Sequence, residues 1–336
     1  MSMRAIHNFA PASRQRLFNP AQASRGCPSI GGAGLMVDRI SNRVKGIIPE
    51  LLTRTNQLID VLDNAHKLAQ ENGATRTTAR VFLPSFSTLN KSRQGRALAA
   101  FLREFGTGSR GETINRFEGV IPFSSNSQEF MAVYLGMNAP SRMSRDSIID
   151  LETEEARRAS SNLEVRPMNS DYSIRIATQR DVSQLVELYG SIFTSYLVEL
   201  NSNNISEMVA STPTLVSVYN GEVVAALAAE HASLEVEGVG TTQLIEISEA
   251  ATHPMHRGNR LYSHMIGMFL STLERDIGQD ASVVYAETRA SHPAAARGAI
   301  LAGGQVSGFL NKHCVINAVR DVEETGEYEN LNVVSF

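Results

Sequence analysis

The sequence predicts a mixed α/β protein in two parts, and three observations carry that expectation. Past Tyr172, runs with strand alternation and runs with helical spacing follow in the order β-α-(α)-β-β-β-α-β-α-β-β. Within that order, two β-branched runs flank Asn220-Gly221, a dipeptide that supplies the positive φ angles of a tight hairpin turn. Upstream, residues 139–171 are polar, charged and poor in large apolar side chains, as a linker would be. The expected fold is therefore a C-terminal α/β domain with a central, mostly antiparallel sheet flanked by helices. A helix-rich α/β domain precedes it. The expected boundaries are an irregular arm at 1–34, an N-terminal domain at 35–138, the linker at 139–171 and the C-terminal domain at 172–336.

Composition narrows the classes of function. The chain has 336 residues, 42% hydrophobic and 20% charged, which is globular and ample for two domains. A net charge of −4 gives no footprint for a nucleic-acid partner. Cys27 and Cys314 are the only cysteines, so neither a disulfide framework nor a Cys-rich zinc site is expected. The eight histidines form no spaced metal motif, and no metal is expected. A reducing, cytoplasmic setting is the default. No apolar run approaches the roughly 18–20 residues that cross a bilayer, so no membrane association is expected. The first 37 residues lack Asp and Glu and carry Arg4, Arg14, Arg16 and Arg25, a transit-peptide-like composition, but Pro11, Pro20 and Pro28 interrupt any helix. Oligomeric state is not encoded legibly, and a homodimer is left open.

In the N-terminal part, apolar spacings of three and four from Met36 to Ala69 predict two amphipathic helical pieces broken near Pro49, with Gly73 as a cap. Residues 80–86 and 117–123 read as strands. Residues 93–105 and 127–135 read as helices. In the C-terminal part, strand patterns cover 172–178, both arms of the hairpin, 241–252 and 282–288, and three short runs near the end. Helices are expected over about 180–193, 259–275 and 293–303.

The stretch "AATHPMHRGNRLYSHM" at 250–265 joins a strand to a helix through Arg257-Gly258. A helix N-terminus carries unpaired N–H groups and partial positive charge, and glycine before it lets backbone approach an anion. Arg257 adds a charge-assisted contact. The arrangement suits a diphosphate; a plain surface turn would look the same.

Element order and loop together resemble the GNAT superfamily of acyl-CoA-dependent N-acyltransferases over roughly 172–320. In that family a Pro-x-x-Arg-Gly-x-Gly-x-Gly/Ala loop after the fourth strand binds the CoA pyrophosphate. Pro254, Arg257 and Gly258 match, whereas Arg260 and Tyr262 stand where small residues are usual. The segment "ARGAILAGGQVSGF" is similar to the family's helix and small-residue turn. "ETRASH", "GFLNKHCVI" and "EYENLNVVSF" resemble the tail of β-lysine-type N-acetyltransferases.

The resemblance implies acetyl-CoA as co-substrate and a primary amine, on a small molecule or a protein, as acceptor. It places the diphosphate and pantetheine on Ala251, Thr252, Pro254, Arg257, Gly258, Asn259, Arg260, Leu261 and Tyr262. Direct attack in a ternary complex needs a base for the ammonium proton, an oxyanion donor and a proton for the leaving thiolate. Glu246 falls where histone-type members carry a catalytic glutamate; a structural ion pair would explain it equally. Glu249 is the second candidate base, expected on the opposite face because odd spacing reverses a strand side chain. Glu246, Glu249 and Glu287 together would make an acidic acceptor pocket. The family's tyrosine acid falls at Ala299 and its asparagine at His292, leaving Tyr262, His264, His292 or water as the proton source. The rival reading is a binding or structural protein that kept the fold and lost the reaction. "SRQGRA" at 92–97 is close to the family's phosphate loop, so the N-terminal part is either a diverged half-module, with Arg93, Gly95 and Ala97 at the loop, or an unrelated helical domain.

Overall fold

The computed structural model describes residues 34–38, 41–106, 109–110, 113–143, 167–193, 199–276, 282–291, 293–315 and 328–336. The arm at 1–33, most of the linker and His292 lie outside the described residues. Thirteen strands form one mixed sheet, with helices on its outer faces.

The first half contains β1 (Gly34–Asp38), β2 (Arg43–Leu51), α1 (Thr55–Glu71), β3 (Arg76–Pro84), α2 (Arg93–Phe105), β4 (Ser109–Arg110), β5 (Thr113–Ser125) and β6 (Gln128–Asn138). The second contains β7 (Tyr172–Ile176), α3 (Val182–Ile192), α4 (Ser202–Ser211), β8 (Thr214–Tyr219), β9 (Glu222–Val236), β10 (Gly240–Thr252), α5 (Leu261–Asp276), β11 (Ser282–Arg289), α6 (Pro293–Leu301), β12 (Gln305–Val315) and β13 (Tyr328–Ser335). The order across the sheet is β1-β2-β3-β6-β5-β12-β13-β11-β10-β9-β8-β7, with β4 paired to β5. Among the described strands, the parallel ladders are β2–β3 and β10–β11, each joined through a helix.

Two helical expectations fail here. Residues 36–51 form the β1–β2 hairpin, and only the piece beyond Pro49 is a helix, α1. Residues 128–138 are β6, entered through Asn126-Ser127, both at positive φ (49° and 61°), the geometry of a tight hairpin turn. The cause is burial on both faces. Met131, Val133, Leu135 and Met137 face α1 and α2, while Phe130, Ala132 and Tyr134 face the second half of the sheet. Alternation vanishes when neither face is wet, and the run then resembles a buried helix.

The order β1-β2-β3-β6-β5 repeats β9-β10-β11-β13-β12, with a helix inside each parallel pair and another before each terminal hairpin. The halves meet where β5 and β12 pair antiparallel at Gly119 and Gly308. A Cβ on Gly308 would lie 2.5 Å from the Glu118 carbonyl oxygen, so this crossing requires glycine. Leu51 N also donates to Glu237 O (2.9 Å), tying β2 to the end of β9. The half-sheets thus face each other across a core that includes Ile47, Phe82, Phe123, Leu244, Tyr285 and Val333.

At the seam, Arg76 donates to Glu118 through both terminal nitrogens (2.9 and 2.5 Å) and to Asn138 Oδ1 (2.5 Å). Both charged side chains are out of solvent. Arg142 reaches across to the carbonyls of Lys312 and Ser41 and stacks on Tyr328.

Candidate active site

Strands β10 and β11 pair in parallel from Gln243/Ser282 to Glu246/Tyr285, and no ladder pair joins them beyond that point. Past it, β10 stays with β9 while β11 pairs with β13, so the two strands part toward the N-terminus of α5. A bulge lies in β10 between Ser248 and Ala251, with Glu249 at φ 45°. The bulge corrects the expectation for Glu249. The extra residue cancels the odd spacing, so Glu249 returns to the face of Glu246 and its charge reaches Tyr189 on α3, whose phenol burial and Glu249 together push up.

Beyond Thr252 the chain makes one helical turn at Pro254–His256, passes Arg257 and Gly258 (φ 84°), and enters α5 after Arg260 (φ 59°). The turn is anchored. His256 Nδ1 lies 3.0 Å from Tyr172 Oη and its ring packs on Tyr219, while Arg257 Nε donates to Thr252 O (3.3 Å). Asn259 Nδ2 donates to His256 O (3.0 Å). The amides of Gly258, Asn259, Leu261, Tyr262 and Ser263 meet no acceptor among the described residues. A Cβ on Gly258 would have nothing within 4 Å. This leaves an open cluster of donors at a helix N-terminus, suited to an anion.

Tyr262 does not crowd that cluster. Its ring lies against Gly298 of α6, where a Cβ would come within 2.4 Å of Cδ1, and it packs on the core under α5. Gly298→Ala is expected to destabilise the protein by about 1–3 kcal/mol through overpacking. In a Tyr262→Ala background the same Gly298→Ala change should cost much less, a non-additivity read by urea unfolding.

In the first half, the corresponding helix starts carry side-chain contacts that α5 lacks among the described residues. At α1, Gln57 Oε1 accepts from Thr53 N and Arg54 N (3.1 and 3.0 Å), and Gln57 Nε2 donates to Glu50 (2.9 Å). At α2, Ser92 Oγ accepts from Gly95 N (2.9 Å), and a Cβ on Gly95 would meet Leu89 O at 2.2 Å. The segment holding Arg93, Gly95 and Ala97 is therefore a capped, packed helix start and not a phosphate loop. It also follows β3, the strand that corresponds to β11, whereas the open loop follows β10.

Glu246 is 5% exposed, and its register partners across the sheet are Glu230 on β9 and Tyr285 on β11. Tyr285 Oη donates to Glu246 Oε2 (2.8 Å). Burial raises the Glu246 pKa well above the carboxylate range, the charges of Glu287 and Glu230 raise it further, and Arg80 and Tyr285 oppose them. A carboxyl lifted in this way is suited to accept a proton near neutrality. Burial also keeps the phenols of Tyr285 and Tyr134 protonated. Glu287 and Glu230 both lie near enough for their charges to act on Glu246, and Glu230 is a neighbour that the sequence did not single out. His264 lies on α5, with its pKa lowered by burial and then by Arg260. Ala299 is fully buried on α6.

Residues 173–295 match the family model for the acetyltransferase (GNAT) domain, and this segment is such a domain. No curated protein matches the chain. Among solved structures, a GNAT-family acetyltransferase from Streptococcus pneumoniae is 13% identical over 49% of this chain and 98% of its own, with a TM-score of 0.40. A putative acetyltransferase from Salmonella typhimurium, solved with acetyl-CoA, is 19% identical over 50% of this chain and 94% of its own, at 0.38. The ribosomal-protein-alanine N-acetyltransferase of Brucella melitensis is 18% identical over 49% and 98%, at 0.37.

Among the described residues, no group of three or more His, Cys, Asp or Glu is placed to hold a metal ion. No helix there is long and apolar enough to cross a membrane.

Proposed function

We propose that residues 172–336 transfer an acetyl group from acetyl-CoA to a primary amine, and that residues 35–138 are a diverged partial copy of the same fold. The observation that carries the first reading is the open amide cluster of Gly258, Asn259, Leu261, Tyr262 and Ser263, set at the end of two parting strands with a buried, raised-pKa glutamate at their fork. The diphosphate would sit on those amides beside Arg257. The pantetheine arm would run between β10 and β11, along the backbone of Ala251 and Thr252.

Glu246 takes the ammonium proton, directly or through water, and leaves a neutral amine. The amine nitrogen attacks the acetyl carbon, a C–N bond forms, and the C–S bond then breaks to release CoA thiolate. The nitrogen sheds its second proton as the amide forms, and water carries it to the leaving thiolate, because Ala299 offers no acid. Holding both substrates in the fork supplies much of the rate. Three carboxylates on one face favour a cationic acceptor such as an amino acid, polyamine or lysine side chain.

The test is amine-dependent CoA release from acetyl-CoA with these acceptor classes. Release with at least one class supports the reading. Tight acetyl-CoA binding with no release to any amine favours the second reading, a protein that kept the site and lost the reaction, for which the buried alanine at position 299 already speaks.

A further inference from the structure

The first half of the chain contributes side chains to the fork around Glu246. Arg80 points from β3 across the shared core, 5% exposed, and its guanidinium carbon lies 4.5 Å from the ring centre of Tyr134 and 4.4 Å from that of Tyr285. Its Nη1 donates to Tyr285 Oη (2.7 Å), and the same hydroxyl donates to Glu246 Oε2 (2.8 Å). Its Nη2 donates to Tyr134 Oη (2.5 Å), and that hydroxyl donates to Glu287 Oε1 (2.9 Å). One guanidinium therefore holds two phenols, and each phenol holds one carboxylate of the acidic face.

The geometry is specific to arginine. A planar fork can lie between two rings and aim separate N–H groups at both hydroxyls, whereas an ammonium offers a point charge. The phenols span the seam, Tyr134 from the first half and Tyr285 from the second. Other charged or titratable groups face the cluster from every packed element: Lys45 on β2, Glu230 on β9, Glu287 on β11 and His313 on β12. His313 accepts from Arg76 Nη2 at Nδ1 (3.1 Å), which requires a neutral ring, and Nε2 lies 3.7 Å from Glu287 Oε2. A cavity of about 20 Å³ lies beside Arg80 among Lys45, Thr78, Tyr134, Glu287 and His313. That is room for about one water, so it is no seat for an amine acceptor.

We propose that Arg80 and Tyr134 are positioning residues of the transferase site, fixing Tyr285 and Glu287 so that Glu246 presents its free oxygen to the amine. This rests on the reading of Glu246 as the base. It gives the first half a role in turnover without a second acetyl-CoA site.

The test compares Arg80→Met, Arg80→Lys and Tyr134→Phe in the full chain. Two readouts are used: the pH profile of kcat, and the protonation of Glu246 followed by infrared difference against Glu246→Gln. With Arg80→Met, kcat should fall by roughly 10²-fold, the cost of about 1 Å of misplacement. The acid limb and the infrared titration should both move to higher pH, with Arg80→Lys restoring part of the titration but not the rate. Tyr134→Phe removes one oxygen, and should lower kcat while leaving acetyl-CoA affinity unchanged. It carries the test alone if Arg80→Met does not fold. Unchanged kcat and unchanged Glu246 titration in folded variants would overturn the proposal. The infrared arm needs no turnover, so it decides the link between Arg80 and Glu246 even where the transferase reading fails.

Discussion

Glu246→Gln is expected to lower kcat for acetyl transfer by about 10²–10⁴-fold, the range for losing a general base. Acetyl-CoA affinity should stay within about twofold, because Glu246 lies before the bulge in β10 and the amide cluster lies beyond Thr252. Stability should move the other way. Burial raises the folded pKa of Glu246 above its unfolded value. That stability is fully present below the ordinary glutamate pKa and is lost as pH rises through the folded value. Glutamine bears no charge and can still accept from Tyr285. The variant should therefore melt a few degrees higher near neutral pH, with the gain fading as pH falls toward 4. A parallel loss of kcat and acetyl-CoA binding would assign Glu246 a structural role.

The second large effect falls at the seam. Glu118→Ala leaves Arg76 buried without its carboxylate and close to the cation of Arg142. Removing one partner of a buried pair costs about 3–5 kcal/mol, because the remaining charge is uncompensated. Urea unfolding should show that loss, and the double variant Arg76→Met/Glu118→Leu should recover much of it. The pair bridges β3 and β5, and β5 is the strand that meets β12. If the first half were an appendage, Glu118→Ala would leave Glu246 chemistry untouched. The hydrogen bonds through Arg80 lead us to expect turnover to fall with it.

What the sequence could reveal follows from which strands keep a wet face or a marked turn. The hairpin at Asn220-Gly221 was legible because both residues take positive φ, 51° and 87°. Helix α2 was legible as residues 93–105, the bounds it takes in the structure. β6 was not, since both its faces are buried and its apolar residues no longer alternate. β2 was misread for a related reason: Ile47 and Ile48 serve two different cores. The open amide loop could be found from Arg257-Gly258, a local pattern. Glu249 could not be oriented, because a bulge leaves no mark in side-chain order. Arg80 and Tyr134 were out of reach for a different reason. They lie 166 and 112 positions before Glu246 in the numbering, and only the facing of two half-sheets brings them to it.

The open amides before and within the first turn of α5 are the feature on which the rest depends, and titration calorimetry with acetyl-CoA tests them most directly. Wild-type protein is expected to bind one molecule per chain, since Gln57 folds back over the start of α1, and Ser92 and the Leu89 carbonyl fill the start of α2. No heat is expected from Gly258→Asp, whose carboxylate would face the diphosphate from a position with open space around it, while circular dichroism stays unchanged. Equal binding by the two proteins, or two molecules per wild-type chain, would contradict it.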